Sequence, residues 1–177
     1  MSKQRRDPLW FIILTAAGAS SVSLLGGVGI EAVEFKLLPL IPLVVALPAL
    51  NTMVGDYATI IAAHAGDPLE RERTRKELAT AISWSVLVNI VGVFALSLLL
   101  AWRRGFVPSV WFTVRFGLFV SAAIVLVVVF MFLLTYFLDK LLERRRLNPD
   151  DLLIPVVTSV SDVLMLGMIA LGALLLF

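Results

Sequence analysis

The chain has 177 residues, of which 60% are hydrophobic and 16% are charged, and its formal net charge is +2. Soluble domains contain about 45–50% apolar and about 25% charged residues, so this composition excludes an ordinary soluble protein and indicates an integral membrane protein. The chain has no cysteine, one histidine and only short clusters of basic residues, which argues against thiolate or zinc centres and nucleic-acid binding.

Five apolar segments have the length that a membrane helix needs, which is about 20 residues. In chain order they are Pro8–Ala32, Leu37–Ala65, Leu78–Trp102, Phe112–Leu138 and Leu152–Phe177. We therefore predict an all-α integral membrane protein with five transmembrane helices.

The first segment has two interpretations. A basic start, an apolar core over Leu9–Thr15 and the small residues Ala17–Ala19 resemble a signal peptide. Apolar character continues through Ser23–Ile30, however, which gives full spanning length and favours a membrane helix.

The second segment contains three prolines, Pro39, Pro42 and Pro48. Proline lacks the backbone N–H that an α-helix uses and clashes with the preceding turn. We therefore expect this helix to be kinked or broken in its first half.

The distribution of lysine and arginine predicts the orientation of the spans, because cytoplasmic loops carry an excess of them. With the N-terminus inside, eleven of the fifteen basic residues fall on the cytoplasmic side: Lys3, Arg5, Arg6, Arg71, Arg73, Arg75, Lys76, Lys140, Arg144, Arg145 and Arg146. We predict a multi-pass protein of the plasma membrane with its N-terminus inside and its C-terminus outside.

Two acids, Asp56 and Asp162, lie deep within the predicted spans. Counted from the cytoplasmic ends of their helices, both lie about 15–16 Å into the membrane, since a helix rises 1.5 Å per residue. A charged side chain there costs about 2.5–3.5 kcal/mol even on the translocon scale, so such a residue indicates function. Matching depth allows the second and fifth helices to present both carboxylates to a common cavity.

Each acid belongs to a polar stripe on its helix. Thr158 and Ser159 share a helix face with Asp162, and Thr59 shares one with Asp56, while Asn51 lies nearby in sequence. Carboxylate, hydroxyl and amide oxygens suit a hard cation such as Mg²⁺, Ca²⁺ or Mn²⁺. A sparse set of such ligands fits Mg²⁺ best, because Mg²⁺ usually keeps several of its waters.

Two stretches resemble one known family. Residues 148–162, which run from Asn148-Pro149 through Pro155 and Thr158-Ser159 to Asp162, resemble the start of the last membrane helix in MgtE-type magnesium transporters and their eukaryotic solute-carrier relatives. Residues 47–56 are similar to the second-helix motif of that family, which usually carries Gly-Asn where this chain has Gly55-Asp56.

The resemblance implies a homodimer in which the second and fifth helices of both chains line a central cation pore. The ion-binding aspartate of the family falls on Asp162, and its neighbour one turn earlier falls on Thr158. The transported ion would be Mg²⁺ or another divalent cation, and no prosthetic group is expected. Because only about eight residues precede the first span, we expect one membrane domain over residues 1–177, without the cytoplasmic sensor domains of bacterial members.

Two other function classes stay open on the residues alone. The acids could act as hydrogen-bonding groups between helices in an assembly subunit that transports nothing. Gly55-Asp56 also resembles part of the Gly-x-Gly-Asp signature of intramembrane aspartyl proteases, although Met53 occupies the first glycine position. Of the glycines, we expect Gly26, Gly27, Gly29, Gly167 and Gly172 to serve close helix packing.

Overall fold

Six α-helices form the part of the chain that the computed structural model describes, which is residues 9–65, 73–145 and 149–175. The helices are α1 (Leu9–Glu31), α2 (Glu34–Leu37), α3 (Ile41–Ala65), α4 (Arg73–Arg103), α5 (Val110–Arg145) and α6 (Pro149–Leu175). Apart from the single turn of α2, each is long and apolar enough to cross a membrane. The prediction of an all-α chain with five spans is confirmed.

Some features behind the sequence predictions lie outside the described residues. They include the outermost residues of the first and last predicted spans and part of the basic residues used for orientation: Pro8, Phe177, Lys3, Arg5, Arg6, Arg71 and Arg146. The orientation of the chain therefore stays a prediction.

The second predicted span begins later in the structure than in the sequence analysis. Helix α2 ends at Leu37, Pro39 lies in the following turn, and α3 begins at Ile41. Pro39 has no backbone N–H to donate to the preceding turn, which explains the break. Pro42 lies in the first turn of α3, where a backbone N–H is not needed. Pro48 lies inside α3, and a kink there stays a prediction.

The fourth predicted span extends further than expected. Helix α5 continues past Leu138 to Arg145, and its membrane-compatible part reaches Leu142. This extension includes a third acid, Asp139, which is only 5% exposed, and Thr135 one turn earlier is also buried. The charged residue Asp139 therefore does not mark the end of the membrane span in α5.

A glycine and a serine fix the tight connection between α4 and α5. After α4, Gly105 adopts a positive φ of 85°, while the N–H of Phe106 donates to the Ala101 carbonyl over 3.0 Å. This is the Schellman arrangement that ends many helices. Ser109 then caps α5, since its hydroxyl oxygen accepts from the N–H of Phe112.

Helix α3 lies at the centre of the packing, against α4, α5 and α6, whereas α1 packs principally along α6. The fully buried side chains come mainly from α3, α5 and α6, among them Leu50, Val54, Phe116, Met131 and Met165. Large apolar side chains are exposed on the outer faces of the helices, as lipid contact requires: Leu24, Leu87, Leu118, Leu133 and Leu171. The core therefore lies between α3, α5 and α6, and the outer apolar faces are left for lipid.

Candidate metal centre

Asp162 on α6 is half-buried and is held from one side by α1. The Ser23 hydroxyl donates to Oδ2 of Asp162 over 3.1 Å. Close packing of α1 on α6 makes this contact possible: a Cβ added at Gly26 would stand 2.7 Å from Cδ1 of Leu166 and 3.3 Å from Cα of Val163. Gly26 thus confirms the expectation of close helix packing, and α1 supplies a hydrogen-bond donor to the carboxylate.

The other carboxylate oxygen lies toward α3. A Cβ added at Gly55 would stand 4.0 Å from Oδ1 of Asp162 and 3.9 Å from Cγ2 of Thr158. Because glycine carries no side chain, the backbone of α3 leaves a gap of about one methyl group beside these two residues. The carboxylate of Asp162 therefore lies between α1 and α3, with Thr158 at the same contact.

Two buried oxygens near this contact accept no hydrogen bond from any described residue. They are the Thr158 hydroxyl and Oδ1 of Asn51. Asn51 lies one helical turn before Gly55, so both occupy the same face of α3. Buried polar atoms are nearly always paired in folded proteins, and those that are not call for an explanation such as a bound ion or water. The structure thus brings Thr158 and Asp162 together against Gly55, and Asn51 lies one turn away on the same face of α3.

Two further predicted ligands bond to their own helices. The Ser159 hydroxyl donates to the Pro155 carbonyl over 2.6 Å, and the Thr59 hydroxyl donates to the Gly55 carbonyl over 3.0 Å. Ser159 is 5% exposed, whereas Thr59 is exposed. The proton of each hydroxyl is used in this hydrogen bond. Only the lone pairs of the two oxygens remain available to a cation.

Asp56 occupies different surroundings from Asp162. Its side chain is exposed and lies in an open groove between α3 and α4 with Thr52, Tyr57, Ser85 and Asn89. Within one chain, therefore, the contact that holds Asp162 and the groove that holds Asp56 involve different neighbouring helices. A cavity shared by the two carboxylates between two chains stays a prediction.

Three polar residues at these sites were missed by the sequence analysis: Ser23, Ser85 and Asn89. Asn89 could have been found, since an amide within an apolar span is as informative as an acid. Ser23 and Ser85 give little signal, because membrane helices often bond serine to their own backbone. In the described ranges, no three His, Cys, Asp or Glu residues cluster closely enough to hold a metal ion, which excludes a dense anionic cage within those parts of one chain.

These features define a multi-pass membrane protein with unpaired oxygen atoms buried between its helices. Residues 47–172 match the family model described as MgtE, divalent cation transporter. This match covers well over half of the chain, so the protein belongs to the MgtE divalent cation transporter family. The matched region includes every predicted ligand but not α1 and Ser23. No curated protein and no solved structure matches the chain.

Proposed function

We propose that this protein carries divalent cations, chiefly Mg²⁺, across the plasma membrane with Asp162 as the principal ligand. One observation carries the proposal: the carboxylate lies between α1 and α3 in a chain of a cation-transporter family. Two buried oxygens, one of Thr158 on the same helix and one of Asn51 a turn before Gly55, have no described donor. A cation at this point would use oxygens that the described fold leaves unpaired.

The ligand chemistry supports Mg²⁺ as cargo. One carboxylate, one amide oxygen and one hydroxyl are hard ligands, without sulfur or imidazole. Mg²⁺ sheds water reluctantly and is usually bound through one or two carboxylates together with several waters. The missing side chain at Gly55 leaves a gap of about one methyl group beside Asp162 and Thr158. Asp162 supplies the charge, and Thr158 and Asn51 position the hydration shell.

A homodimer completes the proposed pore. Asp56 is exposed on a helix that crosses the membrane, and a carboxylate facing lipid is costly. A second copy related by two-fold symmetry would cover this polar surface and place α3 and α6 of both chains around one path. Thr59 and Ser159 would lie along that path. With the N-terminus inside, Asp162 would lie near the middle of the membrane.

Ion flux into liposomes tests the proposal. The purified chain should admit Mg²⁺ faster than protein-free liposomes do, and parallel measurements with Mn²⁺, Ca²⁺ and Co²⁺ give the order of preference. Leak rates equal to those of empty liposomes for all four ions would contradict transport. Mass measurement in lipid discs tests the dimer separately, and a monomeric mass in both discs and detergent would contradict it.

A further inference from the structure

The groove between α3 and α4 is a polar feature that the Asp162 centre does not use. It encloses about 550 Å³ and is open to the surface. Its polar wall combines Thr52, Asp56 and Tyr57 of α3 with Ser85 and Asn89 of α4. Helix α4 contributes nothing to the ion path proposed above, so its polar residues need a separate explanation.

A hydrogen-bonded network orders the α4 side of this groove. The Tyr57 side chain is 3% exposed, and its hydroxyl donates to Oγ of Ser85 over 2.9 Å. The single phenolic proton is then used, so the Tyr57 oxygen can only accept, and it does so from Nδ2 of Asn89. Asn89 thus directs its amino group at Tyr57 and its amide oxygen away from it.

The groove holds acceptors without matching donors. Among the described residues, none donates a hydrogen bond to the Asp56 carboxylate or to Oδ1 of Asn89, and none forms an ion pair with Asp56. The Thr52 hydroxyl lies one turn before Asp56 on the same helix face. One carboxylate and two neutral oxygens therefore line this groove of a membrane-spanning region. Such oxygens are the ligands of a hard cation.

The volume of the groove leaves room for such a cation to keep its water. Six waters occupy about 180 Å³ at about 30 Å³ each in the liquid. The groove, at about 550 Å³, accommodates a divalent cation with most of its hydration shell. A cation held through water needs few direct ligands, which agrees with the single carboxylate.

We propose that the α3–α4 groove is a second cation site, in which Asp56, Thr52 and Asn89 hold a hydrated divalent cation and Tyr57 and Ser85 orient the Asn89 amide. The inference rests on the proposed function in one respect, namely that the ion is one the protein transports. It makes α4 a determinant of which divalent cation is admitted.

Binding of Mn²⁺, measured by the loss of the free-ion paramagnetic resonance signal, tests the site on the full chain in lipid discs. The Asp162→Asn variant serves as background, because it removes the charge of the first centre. We expect this variant to retain saturable Mn²⁺ binding. Adding Asn89→Leu should weaken that binding about tenfold, as loss of a supporting ligand typically does. Adding Asn89→Asp should preserve the binding.

The matched control is Ser83→Ala, because Ser83 is an exposed α4 residue that bonds to the Ala79 carbonyl and does not line the groove. Tyr57→Phe tests the orienting role: it should weaken binding when residue 89 is asparagine but not in the Asn89→Asp variant, since a carboxylate presents an oxygen in either orientation. The site is overturned if Asp162→Asn abolishes saturable binding or if Asn89→Leu matches Ser83→Ala. Groove binding without any flux in liposomes would instead overturn the proposed function alone.

Discussion

Asp56 and Asp162 have the same type of side chain and about the same predicted depth in the membrane. Each lies about 15–16 Å along its helix from the predicted cytoplasmic end, yet their surroundings differ. Asp162 is half-buried, accepts a hydrogen bond from Ser23 and faces Gly55 of α3. Asp56 is exposed in an open groove, and no described residue donates to it. The neighbouring helix, rather than depth in the membrane, therefore determines the exposure and the hydrogen bonding of each carboxylate.

Helix α1 accounts for most of this contrast. It packs along α6 and brings the Ser23 hydroxyl to Asp162. A hydrogen bond to a charged group contributes about 1.5–3 kcal/mol, so α1 both stabilises the carboxylate and fixes one of its oxygens. Helix α4 offers Asp56 only neutral residues that are already bonded to one another. We therefore expect Asp162 to be the ordered ligand and Asp56 the adaptable one.

The largest expected effect comes from Asp162→Asn. The change keeps the shape of the side chain and removes the charge that attracts the cation, so divalent flux in liposomes should fall at least about tenfold, in line with losing a directly bound charge. Folding and dimerisation should survive. Glu34→Gln, which removes an exposed acid on α2, is the control. Equal flux in the two variants would remove Asp162 from the ion path.

Ser23→Ala should have the next largest effect. It deletes the donor to Oδ2 of Asp162 without changing any proposed ligand, and apparent Mg²⁺ affinity should weaken by up to about tenfold. The control is Ser21→Ala, because the Ser21 hydroxyl bonds to the Ala17 carbonyl on an exposed face of the same helix. Should both variants keep wild-type affinity, the contact between α1 and α6 would be one of packing alone.

Asp56→Asn should act mainly on pH dependence and ion preference. Cations bind the deprotonated carboxylate, so binding tightens as pH rises and weakens as pH falls. With one carboxylate fewer per chain, this dependence should become shallower. The preference for Mg²⁺ over Mn²⁺ and Ca²⁺ should increase, because Mg²⁺ needs less charge to be held with its waters. Titration with each ion at two pH values measures both effects. Identical slopes and ion order would show that Asp56 has a structural role.

Gly172→Ala should change stability but not transport, which separates packing from ligand chemistry. A Cβ at Gly172 would stand 2.4 Å from ring atoms of Phe119, and overpacking of this kind costs about 1–3 kcal/mol. Gly167→Ala is the control, since a Cβ there meets nothing within 4 Å. Thermal unfolding in detergent should show a lower midpoint for Gly172→Ala only. A lowered flux per folded molecule would contradict the separation.

The sequence predicts the five spans well, because membrane helices need long apolar segments and this chain has five. The exceptions have local causes: Pro39 delays the start of α3, and the buried Asp139 lets α5 continue beyond the predicted end. Among the glycines expected to serve packing, Gly26 and Gly172 do so, whereas Gly27, Gly29 and Gly167 meet nothing within 4 Å.

The candidate site is only partly visible in the sequence. Periodicity correctly places Thr158 and Asp162 on one face of α6, and the structure adds that this face meets Gly55. Sequence periodicity cannot show that Asn51 and Gly55 face α6 while Asp56 faces α4, because both sides of α3 are largely apolar. The sequence also cannot pair Ser23 with Asp162, 139 positions away, because that contact depends on how α1 packs against α6.

Reactivity of a cysteine introduced at position 158 tests the central claim, an ion path along Thr158 and Asp162, most directly. The chain has no cysteine of its own, so Thr158→Cys carries a single thiol, one turn from Asp162. A small, positively charged, water-soluble thiol reagent should modify it in liposomes, and Mg²⁺ should slow that reaction by occupying the Asp162 centre. No modification, or a rate that Mg²⁺ leaves unchanged, would contradict a water-filled cation path at this position.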